Sequence, residues 1–187
     1  SFLREMEFNR LLSSAISTYG ENGFGKINEK QINITSKNDK ISRDKYFLFQ
    51  NEKEIEDWLK KADDIGEFAI DTETSSLDAH QADLVGISMC YKTGFSGYIP
   101  LAHKTGKNLD TEKVLNILKP YLEDKSIKKI GQNIKFDYII FYKRGIKINS
   151  IEDTMLMSYV LDAGKNRHNL DMLAEIHLKH KNISFKE

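Results

Sequence analysis

Phe68-Ala69-Ile70-Asp71-Thr72-Glu73 is an apolar run that ends in two carboxylates separated by one threonine. Phe68 to Ile70 are apolar and β-compatible, whereas Thr74, Ser75 and Ser76 are polar and turn-forming, so the stretch reads as a strand entering a turn. Strand side chains repeat with period two, which puts Asp71 and Glu73 on one face. Two neighbouring anions at the end of a hydrophobic strand repel unless a cation lies between them, and a hard divalent ion prefers oxygen ligands. The triplet by itself is commonplace in so acidic a chain, with a solvated strand end as its plain alternative. Its context is what points to a Mg2+ or Mn2+ site.

Outward from this strand, composition fits one α/β core with a short appendage. The chain has 187 residues, 40% hydrophobic and 30% charged, with only two prolines. Lys plus Arg and Asp plus Glu number 28 each, so net charge argues neither for nor against nucleic acid. The single cysteine, Cys90, lies in the apolar-rich run 84–91, which suits a buried, inert thiol in a reducing compartment. No apolar run approaches the ~20 residues of a membrane span, and no signal peptide is visible. The first residue is Ser1 and not Met, so a segment of something larger is expected.

Residues 2–18 have apolar positions at helical spacing (Phe8, Leu11, Leu12, Ala15, Ile16), with Gly20 as a cap, and residues 20–45 read as a polar linker. A strand is expected at 46–49. Asn51 and Glu54 then form a capping box opening a helix with Ile55, Trp58 and Leu59. Strands at 84–91 and 97–100 complete an antiparallel meander with the Asp71 strand. Asp110 caps a helix bearing Val114, Leu115, Leu118, Tyr121 and Leu122; a strand at 128–131, a helix at 133–143 and a strand at 148–152 follow. Helices at 154–161 and 170–180 end the chain, the second with Leu170, Leu173, Ala174, His177 and Leu178 on one face. The expected fold is α/β, a mixed sheet of three antiparallel strands followed by alternating helices and strands, flanked by helices.

Asn133 and Asp137, four residues apart in Gly131-Gln132-Asn133-Ile134-Lys135-Phe136-Asp137, would share one helix face. A capping Asn133 and a solvent-facing Asp137 are the alternative, but Ile139, Ile140 and Phe141 make the helix largely buried and turn its acidic face to a cleft or partner. With Asp71-Thr72-Glu73, this segment and Asp153-Thr154-Met155 through Tyr159, Arg167-His168, Leu173-Ala174-Glu175 and Lys179-His180-Lys181 resemble, in order and spacing, the proofreading exonuclease domain of bacterial family A DNA polymerases. The resemblance covers 46–187, while residues 1–19 resemble the tail of that family's preceding 5′ nuclease domain.

The resemblance implies a ribonuclease H-like fold and a 3′-5′ exonuclease with two divalent ions, Mg2+ or Mn2+, one activating water and one stabilising the leaving 3′ oxygen. It makes Asp71, Glu73 and Asp137 the metal and catalytic residues. It assigns DNA contacts to Leu77 and Phe185, which wedge against terminal bases, to Gln132, Asn133 and Phe136, which line the single-strand channel, and to Arg167 on a phosphate. The implied partners are a DNA 3′ end and a polymerase domain of the same parent chain, in the bacterial cytosol with the nucleoid and without a membrane. The family's third motif, a Tyr with an Asp four residues on, is missing: none of the eight tyrosines is so followed before the chain ends at Glu187. A fragment of weak or absent activity is therefore expected, with apolar surface left to drive dimerisation. The rivals are a ribonuclease D-like RNA exonuclease and a silent structural spacer beneath a polymerase.

Overall fold

The helix expected over 2–18 is broken in two: α1 (Phe2–Glu5) and α2 (Asn9–Tyr19) flank a turn in which Glu7 takes a left-handed φ of 58°. Gly20, at φ 73°, follows α2 and donates its N–H to the Ile16 carbonyl. The computed structural model describes residues 2–20, 46–164 and 166–183, which fall in two units, one within 1–37 and the other within 38–187. Of the expected linker at 20–45, residues 21–45 lie outside the described residues.

The second unit starts at β1 (Phe47–Leu48) and α3 (Glu52–Ile65). Asn51 Oδ1 accepts the Glu54 N–H at 3.1 Å, and the Glu54 carboxylate accepts the Gln50 N–H at 2.7 Å, so the box reaches one residue further back than expected. Next come β2 (Glu67–Thr74), β3 (Leu84–Lys92), β4 (Phe95–Pro100), α4 (Thr111–Glu123), β5 (Lys128–Gly131), α5 (Lys135–Tyr142), β6 (Ile151–Asp153), α6 (Thr154–Asp162) and α7 (Leu170–Leu173). The six strands run β1-β4-β3-β2-β5-β6. β2, β3 and β4 form the expected antiparallel meander; β5 and β6 run parallel to β2, and β1 adds parallel to β4 at the edge.

One face of the sheet is buried. Phe68, Ile70, Ile87, Met89 and Ile99 meet Ile55, Trp58, Leu59 and Ala62 of α3 and Val114, Leu115, Leu118 and Leu122 of α4 in one core. Fully buried Lys129 closes α4: its ammonium donates to the carbonyls of Tyr121 at 3.3 Å and of Asp124 and Ile127 at 2.5 Å each. Burial pushes that amine down to about 8.

Three expectations shift. β6 starts at Ile151 because Asn149 is occupied at the end of α4, its N–H on Leu122 O at 3.0 Å and its amide on Glu123 O at 2.7 Å. α5 starts at Lys135 because Asn133 adopts φ 57° and precedes the helix, so it does not share a regular helix face with Asp137. α7 passes at Ala174–Leu178 into a π-helical turn, which rotates the face: only Ala174 is buried, while Leu170 and Leu178 are exposed. Among the described residues no helix is long and apolar enough to cross a membrane.

Candidate active site

The parallel strands β2, β5 and β6 deliver their carboxyl ends to one edge of the sheet, where ligands bind in open α/β sheets. β2 outruns its neighbour: the last β2–β5 pair is Ala69 with Ile130, and Thr72 lies beyond it. Asp137 fills that position from α5. Its Oδ1 accepts the Thr72 N–H at 2.8 Å and the Thr72 hydroxyl at 2.6 Å, and the carboxyl is buried. Burial pushes the Asp137 carboxyl up, against the pull of the Thr72 bonds.

Asp71 and Glu73 flank Thr72 and retain access to solvent. Desolvation by the surrounding protein, then the negative charges of Asp137 and Glu73, push the Asp71 carboxyl from 3.8 up to about 6. Three carboxylates therefore oppose one another here, and a cation would relieve that repulsion. An all-oxygen donor set suits a hard divalent ion. Among the described residues no three acidic, His or Cys side chains converge into a preformed metal cage. Asp71 and Glu73 are the solvent-accessible carboxylates of this cluster, and Asp137 is the buried one.

Asp153 sets the geometry behind this cluster. Its Oδ1 accepts the N–H groups of Asn133 at 3.0 Å, Met155 at 2.9 Å and Leu156 at 3.3 Å, and its Oδ2 that of Ile134 at 3.0 Å. One carboxylate so caps α6 and closes the turn before α5, which holds Asn133 in its left-handed conformation. Gly131 is required in this turn, because a side chain there would meet Ile134 at 2.8–2.9 Å. The Gln132 amide is engaged at both ends: its oxygen accepts the Thr154 hydroxyl at 2.6 Å and its nitrogen donates to the His168 carbonyl at 2.8 Å.

A cleft of about 470 Å³ brings together Asp71, Glu73, Leu77, Gln132, Asn133, Phe136 and Asp137. Leu77 lines it while remaining 98% exposed. Arg167 is exposed and does not line this cleft, although its neighbour His168 holds Gln132. Phe185 lies outside the described residues. Sequence reasoning assigned no role to Thr72 or Asp153. Asp153 was findable as an acid preceding Thr154 at a helix start; Thr72, with its partner 65 residues away, was not.

Residues 46–187 match the family described as 3′-5′ exonuclease. DNA polymerase I of Pseudomonas aeruginosa is 37% identical over 193 residues, spanning 98% of this chain and 20% of that protein. The chain thus corresponds to about a fifth of the length of this relative. The polymerase domain structure of Pol1 from M. smegmatis, in complex with DNA primer-template and dNTP, is 21% identical with a TM-score of 0.61, covering 73% of this chain and 23% of that one. Brucella melitensis NrnC with bound Mg2+ is 21% identical with a TM-score of 0.55, covering 75% and 64%. The fold is the ribonuclease H-like fold of exonucleases, as expected. The chain belongs to the 3′-5′ exonuclease domain family of DNA polymerase I.

Proposed function

We propose that the cleft removes nucleotides from a DNA 3′ end by hydrolysing the terminal phosphodiester, as the proofreading part of a parent chain that also polymerises DNA. The observation that carries this reading is the mutual repulsion of Asp71, Glu73 and Asp137 at the carboxyl edge of the sheet. Two divalent ions, Mg2+ or Mn2+, when bound supply charge neutralisation at the phosphate and lower the pKa of water. Asp71, Glu73 and Asp137 would hold these ions: Asp71 would serve both, Glu73 would complete one site and help orient the attacking water, and Asp137, its carboxylate fixed by Thr72, would serve the other largely through water. Leu77 wedges against the terminal base, with Phe185 as its counterpart. Asn133 and Phe136 line the strand path, Gln132 braces it, and Arg167 meets a phosphate further along.

Residues 1–19 fit the tail of a preceding nuclease domain, joined through a linker at 20–45 to the exonuclease domain at 46–187. The compartment that suits the chain is the bacterial cytosol. Exposed Leu156, Val160 and Leu161 on α6 support association of copies, which sedimentation would reveal as a dimer.

The experiment is Mn2+-dependent release of 3′ nucleotides from single-stranded DNA and RNA, by this chain and by the chain within a full-length polymerase, each with Asp71→Ala. Release from DNA by the full-length form, abolished there by the substitution, is expected. Equal release from RNA would favour a ribonuclease D-like role, and no release from the full-length form would favour a structural spacer.

A further inference from the structure

Behind Glu73, on the sheet face opposite the core, lies a hydrogen-bonded chain that the reaction as described above does not use. Glu73 registers with Gly86 across the β2–β3 ladder, and Asp71 registers with Ser88, which in turn registers with Tyr98 on β4. Cross-strand partners share a face, so Tyr98 belongs to the same face as the two carboxylates. Its ring does not stand upright there. A side chain at Gly86 would collide with the Tyr98 hydroxyl, so the phenol leans over the glycine that is Glu73's own partner.

The lean is held from the other side. The Tyr98 hydroxyl and His103 Nε2 are 2.8 Å apart, with the two rings 5.6 Å between centroids. The His103 main chain is held by Asn108, whose side-chain oxygen accepts the backbone N–H and whose amide donates to the backbone carbonyl, both at 2.9 Å. Burial, then the Glu73 charge, push the Tyr98 hydroxyl above its usual range. The register and the lean over Gly86 bring the phenol beside the strand position of Glu73, while His103 holds its hydroxyl.

We infer that Tyr98, held by His103 and Asn108, is a positioning residue that orients the Glu73 carboxylate for its cation. Tyr98 does not line the cleft and acts through Glu73. This rests on the proposed reading of Asp71 and Glu73 as cation ligands.

The test is Mn2+ affinity of the 187-residue chain by electron paramagnetic resonance, alongside metal-free thermal unfolding. Tyr98→Phe should weaken Mn2+ binding roughly 10–100-fold, the usual cost of losing a group that orients a metal ligand, with the metal-free midpoint unchanged. His103→Ala should act likewise, and His103→Gln, which keeps a partner for the hydroxyl, should retain affinity. In a Glu73→Gln background Tyr98→Phe should add nothing, since its effect passes through that carboxylate. Unchanged affinity in Tyr98→Phe overturns the inference, as does equal weakening with and without the Glu73 carboxylate, or a matching fall in the metal-free midpoint. Mn2+ binding that survives Asp71→Ala, or is absent from the unaltered chain, overturns the cation-site reading itself.

Discussion

The two faces of β2 differ in kind although one backbone supplies both. Phe68 and Ile70 point into the core with Thr72 buried on their side, while Asp71 and Glu73 point to a face of glycine and small polar side chains at Gly86 and Ser88. The apolar face contributes to folding by burial. The acidic face works against folding, since it gathers like charges that only a cation or a proton relieves. Thr72 joins the two: it is buried with the core, yet both its donors hold Asp137 for the site. Function here is carried on a strand whose other face contributes the stability that the acidic face costs.

Substitutions can separate the faces. The largest effect on chemistry is expected from Asp71→Ala, which should reduce metal-dependent 3′ nucleotide release by more than the roughly 10–100-fold typical of losing an outer partner; a quantitative nuclease assay checks it. On the apolar face, Ile70→Ala should cost about 2–5 kcal/mol of stability by denaturant unfolding, because it opens a cavity in the core. Asp153→Ala should cost about 2–4 kcal/mol, since four backbone donors lose a charged acceptor, and should weaken Mn2+ binding by releasing Asn133 and α5. Thr72→Val removes one bond to Asp137 but keeps the N–H bond, so about 1 kcal/mol is expected, with a measurable drop in rate.

The smallest effect sharpens the comparison through pH. Asp71 titrates at about 6 folded against 3.8 ordinarily, so between these values the folded chain holds a proton that the unfolded chain has lost. Metal-free stability should therefore fall as pH rises through this window. Asp71→Asn should raise metal-free stability at pH 7 by on the order of 1 kcal/mol once solvent screening is allowed for. Melting curves at pH 4 and pH 7 would show the gain only at the higher value.

Much of this was legible because it is local. Period-two alternation put Asp71 and Glu73 on one face, the Asn51 and Glu54 pair marked α3, and Asp110 marked α4, whose Lys113 N–H it accepts at 2.9 Å. What escaped depends on distant or backbone-level events. The break at Glu7 and the left-handed Asn133 are φ choices that side-chain periodicity does not encode. The π turn after Leu173 changes the face of a helix whose apolar spacing looked regular. Thr72 holding Asp137 and Asp153 holding Asn133 are tertiary pairings, invisible until β2, β5 and β6 lie side by side.

The most direct measurement is a calorimetric Mn2+ titration of the chain at pH 7.5 and pH 5, with Asp71→Asn as the comparison. If the acidic face of β2 is a cation site, the unaltered chain binds Mn2+ at pH 7.5, binds it more weakly at pH 5 where protons compete at Asp71, and loses it in the variant. Equal binding by chain and variant, or binding that does not change between the two pH values, would contradict the account.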